Sequence, residues 1–267
     1  MQSLKKYICC YFLFFRNCLL SQMEYRVNFF AGLLVDVIFL FDKIIYAYIV
    51  YRLDISIYGL TPDQIALFIG SYAIVLSIYC AVFLVNINMT LPSNIKSGNL
   101  DVILTKPISA QFFLSTSYVE YATMVPDLVG GILIVVCACS KMSIEVSPFI
   151  IGGYVFFILV SVSIIYALYF SIQLIAFRIT DTSAIGGILN TILDLNNMPI
   201  HVYGKKFQFM FIYLFPVLLF GNVAPLFLIK QLKLSLALWS IFIAIMLVIM
   251  SRYLWKYIVK QYTSVNG

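Results

Sequence analysis

The chain has 267 residues, of which 63% are hydrophobic and 10% charged, with a mean hydropathy of +1.02. A soluble domain carries roughly 25% charged residues, so this composition excludes a soluble enzyme, a nucleic-acid binder and a disordered chain. At about 20 apolar residues per spanning helix, the length holds about six or seven spans and no second, soluble domain.

Residues 1–26 open with Lys5-Lys6 and an apolar run, Tyr7–Phe15, followed by Arg16 and the polar patch Ser21–Glu24. The absence of a small-residue cleavage site argues against a signal peptide. The pattern predicts an amphipathic helix on the inner leaflet. Gaps between charges then place six spans, near 27–51, 64–88, 110–139, 148–176, 207–227 and 234–252. The second opens with Thr61-Pro62-Asp63-Gln64, a capping sequence with proline at the first helical position. The apolar runs do not alternate with polar residues as barrel strands do, so the fold class is an all-α integral membrane protein. Residues 179–206 carry Ile185, Leu189, Ile192 and Leu195 at helical spacing but are too polar to span, and are expected at the cytoplasmic interface.

Six spans put both termini on one side. With the N-terminus inside, the inner segments hold twelve of the lysines and arginines and the outer loops hold Arg52, Lys141, Lys230 and Lys233. The positive-inside rule then makes both termini cytoplasmic. The six cysteines show no zinc or redox spacing and read as packing residues. The one histidine, His201, stands beside Pro199 and Gly204 without a partner pattern for catalysis or metal binding. Gly204-Lys205-Lys206 lacks the upstream glycine and the following Ser/Thr of a phosphate loop, so ATP binding by this chain is not expected.

The inner loop between spans two and three mixes Ile95, Leu100, Ile103 and Leu104 with Lys96, Asn99, Asp101 and Lys106. A solvated loop has no use for so many large aliphatics. They predict a short helix whose apolar side docks onto something.

Ile95-Lys-Ser-Gly-Asn-Leu-Asp-Val-Ile-Leu-Thr-Lys-Pro107 resembles the I-x-x-G-x-L-D-x-x-L-x-(K/R)-P signature of ABC-2-type exporter permeases, in particular their compact six-span subfamily. The likeness extends to the N-terminal interfacial helix, to Gly59–Gln64 before span two, to the Phe177-Arg178 exit from span four and to Asn222–Pro225 near the outer end of span five. The resemblance implies a permease subunit in a bacterial plasma membrane, paired with an identical or related permease chain and two cytoplasmic ATPase subunits. ATP and its magnesium ion would sit on those partners, and this chain would hold no cofactor or metal and contact only protein and membrane lipid, not nucleic acid. It also implies that the loop is a coupling helix seated in an ATPase groove. Ile95, Leu100 and Leu104 would anchor it, Lys96, Asp101 and Lys106 would lock it, Gly98 would permit its turn, and Pro107 would end it.

Asp36, Asp42, Lys43, Glu120 and Asp127 fall at membrane depth. A lone charge there costs at least roughly 2.5 kcal/mol, so each should face protein, water or cargo. Asp36 and Lys43 share one face of span one, Glu120 and Asp127 one face of span three, and Lys43 and Asp127 lie at similar depth. That arrangement fits an interhelical pair, a polar path for a cationic or amphipathic substrate, or a proton relay. Rival functions are the substrate-binding membrane subunit of an ATP-driven vitamin importer and an ATPase-independent anchor or immunity protein. A neighbouring reading frame with a phosphate loop would separate them.

Overall fold

The computed structural model describes residues 2–54, 56, 59–144, 147–177 and 183–261. Every element among them is helical: α1 (Gln2–Glu24), α2 (Arg26–Arg52), α3 (Pro62–Lys96), α4 (Leu100–Leu104), α5 (Ala110–Thr116), α6 (Tyr121–Lys141), α7 (Pro148–Gln173), α8 (Ser183–Asp194), α9 (Lys205–Leu214), α10 (Leu219–Leu228) and α11 (Leu234–Gln261). Expectations on Arg178 and on residues 179–182 lie outside the described residues.

Four helices are long and apolar enough to cross a membrane: α3, α6 from Met124, α7 and α11. α2 has the length as well, with 27 residues, but carries Asp36, Asp42 and Lys43 along it. α3 starts as its sequence predicts, because the Thr61 side chain accepts from the Gln64 N–H while the Gln64 side chain accepts from the Thr61 N–H. It then continues well past residue 88, absorbing half of the expected loop. Two π-helical stretches, Cys80–Leu84 and Asn86–Thr90, each make room for an extra residue. The second precedes Pro92, whose missing N–H a regular turn would have needed.

Those π turns also explain why the expected third span, 110–139, is broken into α5 and α6. Asn86 is fully buried. Its amide donates to the Val82 and Tyr118 carbonyls, and its oxygen accepts from the Tyr118 N–H and the Ser117 hydroxyl. The Glu120 N–H donates to the Ala81 carbonyl at 2.8 Å. One buried asparagine and one π turn thus satisfy the backbone that the break exposes, as an apolar surround requires. Glu120 consequently occupies the N-cap position of α6, without a side-chain capping bond, instead of sharing a helical face with Asp127.

α3 and α6 form the tightest pair. A Cβ on Gly70 would lie 2.9 Å from the Gly131 carbonyl oxygen, and one on Gly131 equally near the Gly70 oxygen. Small residues let the two backbones touch, which is how helices gain packing energy where lipid removes the hydrophobic drive.

We call the end of the bundle that holds residues 97–107 the near end; Thr61, at the other end of α3, marks the far end. Phe177 stacks edge-on against Trp255 at the near end. Tyr72, three turns in from Thr61, donates its hydroxyl to the Leu193 carbonyl at 2.9 Å, and His201 lies edge-on to Phe68. Residues 193–203 therefore lie in the far half, packed against the bundle with Asn196 and Ile200 buried and Asp194, Asn197 and Met198 exposed. They are not at the near-end interface expected for 179–206. The expected span near 207–227 is instead α9 and α10, which meet at a bend of 105°. Trp239, on the second turn of α11 from its far end, donates to the Ile212 carbonyl, and Phe227 packs on Phe157 and against Gly153 of α7. Both limbs of the bent pair lie in the far half. The sequence concealed this because 207–229 is free of charge whether it crosses or turns back.

Candidate functional site

Two sites follow from this frame. The first is a helical knob at the near end. Gly98 adopts φ +73° and is buried, a conformation that lets α3 stop and α4 start within three residues. Leu100 and Ile103 point inward, joining Leu91, Ile95, Phe170, Leu174 and Trp255 in one apolar cluster. This corrects the expected docking anchors. Ile95 and Leu100 are held by the chain's own core, because the knob must first be fixed to its own bundle. The apolar surface left outward is Val102, 64% exposed, and Leu104, 38% exposed, flanked by exposed Lys96 and half-buried Asp101. Lys106 lies over the Phe113 ring, 3.7 Å from its centre. Pro107 follows, exposed, with its carbonyl accepting from Lys6.

That last contact begins a strap. α1 runs alongside residues 107–121: the Ser109 N–H donates to Tyr7, Tyr7 packs edge-on to Phe112, and Phe14 does the same to Phe113. Further on, Gln22 donates to the Val119 carbonyl and accepts from the Tyr121 N–H. Burial raises the Tyr11 phenol above its ordinary value. α1 therefore rests on the segment that leaves the knob, a contact the sequence did not announce.

The second site lies between α2 and α6. Lys43 Nζ stands 2.6 Å from Asp127 Oδ2, with side chains 19% and 13% exposed. The other carboxylate oxygen, Oδ1, is buried and has no partner. Asp42 stays exposed, and a cavity of about 270 Å³ is lined by Asp42, Lys43, Tyr46, Ile69, Tyr72, Asn197 and Met198. Asp36, one and a half turns before Asp42, is half-buried. Glu120 is apart from this group, accepting from the Tyr118 hydroxyl at 3.1 Å. Sequence reasoning missed Asn197 and Met198, which reach the cavity only because 193–203 folds into the far half. Two asparagines fix that segment: Asn222 Oδ1 accepts from the Ile200 N–H at 2.7 Å, and Asn196 Oδ1 accepts from the Gly221 N–H. Their polarity inside apolar runs was the available signal.

A bundle of membrane-length helices, an ion pair between two of them and a re-entrant pair at one end define a multi-pass membrane protein. The family model described as ABC-2 family transporter protein matches residues 37–266. The chain belongs to that family, and is thus a membrane component of the ABC transporter class, whose permeases work with separate ATPase subunits. α1 and the first part of α2 precede the matched range. Comparison with curated proteins finds no match, and comparison with solved structures finds none either.

Proposed function

We propose that this chain is the permease subunit of an ABC exporter in a bacterial plasma membrane, with its near end and both termini cytoplasmic. It pairs with an identical or related permease chain, and two ATPase subunits bind ATP and magnesium and supply the energy. The cargo is a hydrophobic or amphipathic molecule: a drug, a lipid-like compound or an antimicrobial peptide. The knob carries this reading. An outward apolar pair, Val102 and Leu104, is mounted on a helix whose inner side is locked into the bundle by Leu100 and Ile103. A mechanical contact needs that combination of a rigid base and an apolar tip. The cavity beside Asp42 and Lys43 supports a cargo path, since an exposed carboxylate on a spanning helix favours a wet or cationic neighbour.

The test is co-purification with an ATPase subunit co-expressed with this chain. Replacing Val102 and Leu104 together by Ser removes about 2 kcal/mol of apolar burial from the contact, about thirtyfold in affinity. Membrane expression should be unchanged, because neither side chain is in the core. Undiminished complex formation would reject the knob as the docking element.

A further inference from the structure

Two cavities abut at the far end of the bundle, away from the knob and from the Lys43–Asp127 pair. One, of about 540 Å³, is an apolar slot between α6 and α7, lined by Ile74, Val135, Val136 and Ile151 among others. Val136 and Ile151 are half exposed on the membrane flank, so the slot opens to the hydrocarbon. The other, of about 650 Å³, is a wider mouth whose walls include Thr61, Asp63, Gln64 and Lys230. Ser143, Ile144 and Leu228 line both, which makes them one amphipathic site.

Among the described residues that line it, the mouth bears one charge of each sign, Asp63 and Lys230. Asp63 Oδ1 accepts from the Tyr51 hydroxyl. Among the described residues, no carboxylate lies within ion-pair distance of the Lys230 ammonium. Ser143 has φ +51° and Lys230 φ +57°, two of the three non-glycine residues in the left-handed region among those described. Both belong to ordinary left-handed helix C-caps: the Ser143 N–H donates to the Ser140 carbonyl and the Ile144 N–H to that of Cys139, and the Lys230 and Gln231 N–H groups donate likewise to Phe227 and Leu226. Ser143 and Lys230 each stand two residues past the last residue of a helix, α6 or α10, so the negative poles of two helices lie at the opening.

We infer that this site holds one phospholipid with a zwitterionic, ammonium-bearing head, its acyl chain in the slot and its head in the mouth. The phosphate meets Lys230; the ammonium meets Asp63 and the carbonyl ends of α6 and α10. A purely anionic head would leave Asp63 and those carbonyls facing negative charge, and a chainless head would leave the slot unfilled. The inference does not depend on the exporter reading.

The experiment measures lipid retained by the full chain, without ATPase, in native mass spectra after mixing with phosphatidylethanolamine or phosphatidylglycerol of identical chains. We expect one phosphatidylethanolamine per chain, held at least about fivefold better than phosphatidylglycerol. Asp63→Asn, which keeps an oxygen for Tyr51, should erase the preference. Lys230→Gln should weaken both lipids, and Val136→Trp, which fills the slot from its exposed side, should displace both. Glycerophosphoethanolamine, the head without chains, should not bind. Equal retention of the two lipids by the unmodified chain would overturn the inference, as would a preference that survives Asp63→Asn or retention that survives Val136→Trp; any of these would mean annular lipid only.

Discussion

The pair between Lys43 and Asp127 gives the sharpest energetic prediction. At 2.6 Å and an effective dielectric of about 20, the attraction is about 6.4 kcal/mol. Desolvation of both ions cancels most of it. Water still reaches the two side chains, which are 19% and 13% exposed, and polar pairs between membrane helices measure at most about 1.7 kcal/mol. Lys43→Met strands a carboxylate whose Oδ1 already has no partner, and Asp127→Leu strands the ammonium. Each single variant should therefore lose about 2 kcal/mol of stability and the double variant only about 2.5, leaving a coupling of about 1.5 kcal/mol. Unfolding in mixed micelles titrated with SDS and followed by circular dichroism provides the cycle. Additive losses, with coupling below about 0.5 kcal/mol, would refute a mutually dependent pair.

Gly131→Leu should separate α3 from α6 and cost about 3 kcal/mol or more, because its Cβ would meet the Gly70 carbonyl at 2.9 Å. Gly152→Ala, with nothing within 4 Å of the added methyl, should change the melting temperature very little. Asn86→Leu leaves the Tyr118 N–H and carbonyl without their partner and should cost about 2–4 kcal/mol, read as loss of monodisperse protein on size exclusion. Cysteines placed at Lys96 and at Lys205, in a cysteine-free background, should react with an impermeant thiol reagent from opposite sides of sealed vesicles. Labelling of both from one side would overturn the placement of residues 193–215 in the far half.

Composition and charge spacing were enough to read an all-helical membrane bundle, and the Thr61–Gln64 cap marked the start of α3 to the residue. What the sequence hid were interruptions that long-range contacts stabilise. The break at Ser117–Glu120 exists because Asn86 reaches across from another helix, and no local propensity encodes that. Residues 193–203 read as interfacial because they are polar, yet part of that polarity is used within the bundle, where the Leu193 carbonyl meets Tyr72, the Ile200 N–H meets Asn222 and Asn196 meets Gly221. The loop aliphatics were a true signal of a structured knob, but period alone could not say which of them face inward; Leu100 and Ile103 do, Val102 and Leu104 do not. Lys43 and Asp127 stood out because charges are scarce here, so their depths could be compared directly.

α3 has one further implication. It is a single hydrogen-bonded rod from Pro62 to Lys96, roughly 50 Å long at about 1.5 Å per residue. The cap at Thr61 and the knob at α4 are its two ends, and Gly70 against Gly131 is where it bears on α6. Pivoted there, the rod has a short arm toward Thr61 and an arm roughly three times longer toward Lys96. A sideways push of about 3 Å on the knob would shift the far mouth by only about 1 Å, in the opposite direction and with about threefold greater force.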